Sequence, residues 1–142
     1  MGKFLTKLEV EQVSESTGSE NSKWKLTEPL IYESNNIGLI VVDRGTVTDF
    51  ASIPRLPIPY FIAGGRSNAP ATLHDHLYGS HNTGRCRAVS RLQSDNLIFE
   101  AILDSLPDEG YSIESIMKRQ LVYALAAATW VGVRMFGWLY WK

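Results

Sequence analysis

Thr48-Asp49-Phe50-Ala51-Ser52-Ile53-Pro54-Arg55-Leu56-Pro57-Ile58-Pro59 divides the chain in two. Pro54, Pro57 and Pro59 remove backbone donors and restrict their neighbours, so neither a strand nor a helix runs through them. Gly64-Gly65 and Pro70 prolong the irregular stretch. What lies on each side of it differs in period, and that difference sets the fold class.

On the N-terminal side the pattern is that of strands. Phe4 to Val13 alternates in part, and Ser14 to Ser22, rich in Ser, Glu, Asn and Gly, reads as a hairpin loop. Trp24-Lys25-Leu26-Thr27 can return antiparallel. Leu30-Ile31-Tyr32 and Ile37 to Val42 follow, separated by the turn signal Glu33-Ser34-Asn35-Asn36 and closed by Asp43-Arg44-Gly45.

On the C-terminal side the pattern is helical. Asn68 can cap a helix that begins near Ala69-Pro70, passes through Leu73 and Leu77 and stops at Gly79. A second helix is expected from Ser90, with Leu92, Asp95, Phe99, Ile102 and Leu106 as its buried seam. A third is expected from Ser112 or Ile113. Met117, Leu121, Ala124, Ala128, Val131, Met135 and Trp138 keep the same spacing along it, and a break is expected near Gly137. Strands first and helices afterwards predict an α+β fold: an antiparallel β meander, a long Pro-rich loop, then about three helices. A chain of 142 residues suits one domain, with residues 1–48 mainly β, 49–70 an ordered loop and 69–142 helical.

Composition narrows the function classes. Hydrophobic residues make up 44% of the chain, enough for a core. The 14 Lys and Arg against 15 Asp and Glu leave a net charge of −1, which gives no electrostatic argument for nucleic acid. One cysteine, Cys86, rules out an intramolecular disulfide framework and a multi-cysteine zinc cage. The longest uncharged apolar run, Leu121 to Val133, is shorter than the roughly 18 to 20 residues a membrane-spanning helix needs, so no transmembrane segment is expected.

Three features could carry chemistry. All three histidines lie between residues 74 and 81, and Asp95 interrupts an apolar seam. A carboxylate in such a seam costs several kcal/mol unless paired. Arg91, one turn earlier, can pair with it locally. Alternatively His74, which shares a helix face with Tyr78, reaches Asp95 across a helix–helix contact. A carboxylate then fixes the imidazole tautomer and makes it a better base. Asp75 points about 100° further round the helix, toward the loop that carries Asp49. Two carboxylates plus carbonyls would suit Ca²⁺; the plainer readings are a turn residue for Asp49 and a solvated helix face for Asp75. Zinc from His74, His76 and His81 is disfavoured because those positions do not share one face. Ser52 lacks the G-x-S-x-G surroundings of a nucleophile elbow, and Arg85 and Arg87 could meet an anionic group.

Gly45-x-x-Thr48-Asp49-Phe50-Ala51-Ser52-Ile53-Pro54-Arg55, His74-Asp75-x-Leu77-Tyr78, Arg91-x-x-x-Asp95-x-x-x-Phe99 and Arg134-x-Phe136-Gly137 with Trp141 together resemble a small family of unknown function from tailed bacteriophages and prophages. The resemblance covers roughly residues 30–141. It implies a phage or prophage origin and synthesis in the host cytoplasm, and it supplies no established activity; Ser52 and Arg55 are the substrate-binding candidates of an enzyme reading.

More distantly, His74-Asp75-x-x-Tyr78 followed by Arg91 and Asp95 is similar to the active-site helix pair of secreted phospholipases A2. That resemblance implies His74 as the base that activates water, Asp75 as a Ca²⁺ ligand, Asp95 as support for His74, and Tyr78 as a hydrogen-bond donor behind them. The chain departs from that family in having no disulfides and no glycine-rich calcium loop. Thr48 to Pro54, with Asp49, would have to serve instead.

Two functions follow. One is a phage-encoded His–Asp hydrolase, Ca²⁺-assisted, acting on an ester or a phage or host envelope component. The other is a virion component or host-interaction protein, incorporated in the particle, in which both motifs are structural and the aromatic C-terminus is core or docking surface.

Overall fold

A computed structural model describes residues 2–15, 22–50, 68–79, 89–105 and 113–139, excepting the side chains of 113–115 and 139. Six strands come first: β1 (Lys3–Phe4), β2 (Val10–Ser14), β3 (Lys23–Leu26), β4 (Leu30–Ser34), β5 (Gly38–Val42) and β6 (Val47–Thr48). Among the described residues three helices follow: α1 (Asn68–Gly79), α2 (Arg91–Asp104) and α3 (Ile113–Phe136), the last continued by a 3₁₀ turn at Gly137–Leu139. The fold is α+β, in the order the two periodicities predict.

The strands form two antiparallel three-stranded sheets, ordered β1-β4-β5 and β2-β3-β6. The segment Phe4 to Val13, which reads as one strand, is shared between them. Thr6 explains the division. Its hydroxyl donates to Pro29 O at 3.0 Å and accepts from Ile31 N at 2.8 Å, so a side chain replaces the ladder where β1 ends. Alternation along β4 and β5 buries Leu30, Tyr32, Ile40 and Val42 on one face. The two reversals each use a glycine with positive φ, Gly38 at 94° and Gly45 at 87°. Gly45 N donates to Leu26 O and Leu26 N to Thr46 O, which ties the β5–β6 turn onto β3.

The helices stack in layers. Leu73 and Leu77 of α1 and Leu97 and Ala101 of α2 join the sheet residues in one core cluster. The adjoining side of α2, about 100° further round, carries Ile98 and Ile102 and meets Val122, Ala126 and Val133 of α3 in a second. α2 is therefore the middle layer. Its N-terminus carries a capping box: Ser90 Oγ accepts from Gln93 N, and the Gln93 side chain accepts from Ser90 N.

Both helical seams are rotated from expectation. On α2, Asp95 and Ile102 are buried as predicted, but Leu92 is exposed and Phe99 only half-buried, and Ser94, Leu97, Ile98 and Ala101 complete the face. Leu106 lies outside the described residues. On α3 the line from Met117 to Trp138 is the exposed face, and Val122, Leu125, Ala126, Thr129 and Val133 are buried. A spacing of three and four finds a stripe; it does not say which of two apolar stripes the neighbour covers. Among the described residues no helix is long and apolar enough to cross a membrane.

Candidate functional site

The i, i+4 relation of His74 and Tyr78 places both on the face of α1 that meets α2, with their rings 4.1 Å apart. Asp95 waits there on α2. Its Oδ1 lies 3.3 Å from His74 Nε2 and accepts the Tyr78 hydroxyl as well. Its Oδ2 accepts from Arg134 Nη1 of α3 at 2.9 Å and faces Arg91 Nε at 3.7 Å. The local pair with Arg91 and the long-range pair with His74 thus coexist, each on its own oxygen. Arg91 reaches further, donating through Nη2 to Arg134 O at 2.5 Å and Val133 O at 3.4 Å.

The network is dry. Asp95 is 0% exposed, His74 2% and Tyr78 6%. Burial alone would push the Asp95 carboxyl up, but hydrogen bonds from His74, Tyr78 and Arg134 outweigh it and hold the pKa below the usual carboxylate range. Asp95 is therefore an anion in a site where an unpaired anion would cost several kcal/mol. Burial, and then the bond to Asp95, push the Tyr78 hydroxyl up to about 12, so it remains a proton donor across the physiological range. A carboxylate facing Nε2 favours the tautomer with its proton there and the lone pair on Nδ1, the arrangement a general base requires.

Arg134 and Gly137 are the members that pairing rules do not find. Both stand in the Arg134-x-Phe136-Gly137 motif, yet nothing in that motif points to a partner on α1 or α2. Gly137 is buried under Tyr78. A Cβ there would run into the Tyr78 hydroxyl and come within 3.2 Å of ring carbons Cε1 and Cζ. The absence of a side chain lets the ring reach Asp95.

A second group lies on the other side of α1. Thr48 Oγ1 donates to Asp75 Oδ2 at 2.8 Å and accepts from Phe50 N at 3.2 Å, with Phe50 held at φ 55°. Asp75 thus turns toward the segment that begins the Pro-rich stretch, as its helical angle predicts, and Asp49 follows directly on the Thr48 that it bonds. Asp75, Thr48, Thr72, His76, Asp43 and Thr46 line an open cleft of about 310 Å³ between α1 and the β5–β6 turn. Burial pushes the His76 pKa down, and Asp43 offsets part of that. His74 and Asp75, adjacent in sequence, therefore serve separate neighbourhoods: the first the α1–α2 seam, the second this cleft. Among the described residues no group of three or more His, Cys, Asp or Glu is placed to hold a metal ion. Ser52, Arg55, His81, Arg85 and Arg87 lie outside the described residues.

A family model described as "Protein of unknown function (DUF1353)" matches residues 24–125, which include both residues of the His74–Asp95 pair and the Thr48–Asp75 contact. Among curated proteins and solved structures, none matches.

Proposed function

The chain belongs to the DUF1353 family, whose description assigns no activity, and from the site we propose a hydrolase in which His74 is the general base and Asp95 its support. The observation that carries this reading is the buried His74 Nε2–Asp95 Oδ1 contact, with Asp95 kept anionic by Tyr78 and Arg134. In the proposed reaction His74 Nδ1 takes a proton from water as the water attacks a carbonyl carbon, and returns it to the leaving oxygen. Asp95 stabilises the imidazolium in between.

The resemblance to the phospholipase A2 helix pair makes a carboxylic ester of a lipid or another envelope component the proposed substrate. A phage or prophage setting supplies the proposed context, with Ser52 and Arg55 as substrate contacts. Calcium belongs to the same proposal. Asp75 and Asp49 are hard oxygen donors of the kind Ca²⁺ takes, and further oxygens would have to complete the set. Bound there, the ion would supply charge that polarises the ester carbonyl.

The test is hydrolysis of mixed-micelle phospholipid esters by the purified protein, with CaCl₂ and with EGTA. We expect turnover that His74→Gln lowers by about 10²–10⁴, the usual contribution of a general base. A folded wild-type protein that cleaves no ester in either condition would overturn the reading.

One observation favours a second reading. Asp95 accepts from side chains of α1 and α3 while sitting on α2, and His74 is 2% exposed. Such a network can serve as a clamp between three helices in a non-enzymatic virion or host-interaction protein. Stoichiometric copies in purified particles, together with inactivity on all esters, would select it.

A further inference from the structure

α3 is 24 residues long and, among the described residues, packs on α2 through one face. Its opposite face carries Met117, Leu121, Ala124, Ala128, Val131 and Met135, all exposed. Their separations are four, three, four, three, four. That is the 3.5-residue period of a helix–helix seam, and no described charge interrupts it.

The order is also the same in both directions. Met117 and Met135, Leu121 and Val131, Ala124 and Ala128 stand at equal distances from position 126. A stripe with that symmetry is complementary to itself when turned end for end, which is the requirement of an isologous two-fold contact. Large residues at the ends meet large ones, and the two alanines meet at the centre, where the helices cross most closely.

We propose that this face of α3 is a homodimer interface in which two copies of the chain pack α3 against α3, antiparallel about position 126. Size supports it. Taking ~150–250 Å² for a large side chain, Met117, Leu121, Val131 and Met135, with exposed Trp138 at the end of the line, leave on the order of 500 Å² uncovered, so that two copies would bury about 1,000 Å² together, the size a specific interface needs. A patch of that area is about as large as the largest a monomer ordinarily shows, and such patches are commonly functional.

Sedimentation equilibrium of the full chain over roughly 1–100 µM, within the affinity range of interfaces this size, tests the association. We expect a dimer, and we expect Ala128→Glu to weaken it at least about tenfold by placing a charge in the dry centre. The alanine side chain is exposed in the monomer, so far-UV circular dichroism should remain that of the wild type; Leu121→Glu provides a second variant if it does not. Nitroxide labels introduced through Met117→Cys in a Cys86→Ser background should lie about 27 Å apart by the 1.5 Å rise per residue, against under about 15 Å for a parallel pair. A monomer at all concentrations, a dimer indifferent to both charged variants, a short label distance, or a monomer that instead cosediments with phosphatidylcholine vesicles through this face would each overturn the proposal.

Discussion

Tyr78 donates its hydroxyl to the same Asp95 oxygen that faces His74 Nε2. Oδ1 is thus shared by two side chains of one helix, one turn apart, while Oδ2 is left to Arg134 and Arg91. This division of labour fixes the carboxylate in both rotation and charge. It also lets the contribution of each partner be measured separately.

Removing the phenol tests the shared oxygen. Tyr78→Phe keeps the ring against Gly137 and deletes one donor to a fully buried anion. We expect a loss of about 1–3 kcal/mol, the range for a hydrogen bond to a charged group, seen as a lower urea midpoint. The Asp95 pKa should move up toward the ordinary range because one of the three bonds opposing burial is gone. An unchanged midpoint would mean that the Tyr78–Asp95 contact does not contribute to stability.

Asp95→Asn tests the charge itself. The amide fills nearly the same space but leaves Arg134 and Arg91 without their anion at the α2–α3 contact. Breaking a buried pair from one side costs about 3–5 kcal/mol, so thermal unfolding should drop well below that of Tyr78→Phe. In the enzyme reading, His74 also loses the group that orders its tautomer, and turnover should fall in the variant even at temperatures where it stays folded.

The fold was legible because its signals are local. Glu33-Ser34-Asn35-Asn36 marks a reversal between two strands whatever surrounds it, and a helix starts at Ser90 as expected. The pairing of His74 with Asp95 was legible for a related reason: a carboxylate in an apolar stripe must find a partner, and His74 faced the right way. The rest depends on which neighbour arrives. α3 carries two apolar stripes, and only the docking of α2 decides that Val122, Ala126 and Val133 go in and Met117, Leu121 and Met135 stay out. Arg134 reaches Asp95 across 39 positions of sequence, and no periodic rule encodes that distance. Phe4 to Val13 reads as one strand because the Thr6 hydroxyl that ends it bonds groups on another segment.

Stability should respond to pH at both ends, with signs that follow from the shifts. Asp95 is held below its unfolded pKa near 3.8, so its contribution is complete above that value and is lost as pH falls through the folded pKa. Asp104 is shifted the other way: burial, together with Glu100, outweighs the bond from Tyr32 and raises it. Its contribution is present below the unfolded value and is lost as pH rises through the folded one. Acid unfolding should therefore become shallower in Asp95→Asn and steeper in Asp104→Asn. At the alkaline end, Tyr78 rises from 10.0 to about 12, and its contribution fades between those values as pH increases. Tyr32 is raised for the same first reason, burial, and then by Asp104. Denaturant titrations from pH 2 to 5 and from pH 9 to 12, with each variant beside the wild type, would read these slopes.

Two glycines near the end of α3 should respond to alanine with opposite signs. At Gly137 a methyl group meets the Tyr78 hydroxyl and ring. Tyr78 is pinned by its bond to Asp95 and cannot withdraw without breaking it, so Gly137→Ala should cost about 1–3 kcal/mol, the usual price of overpacking. At Gly132 an added Cβ meets nothing within 4 Å, and the residue lies inside the helix. There alanine removes backbone freedom from the unfolded chain without strain, and Gly132→Ala should gain about 0.4–1 kcal/mol. Differential scanning calorimetry on the two single variants checks both. Combining Gly137→Ala with Tyr78→Phe separates clash from bond: because the phenylalanine lacks the hydroxyl that the new methyl would strike, the double variant should lose less than the two single losses added together.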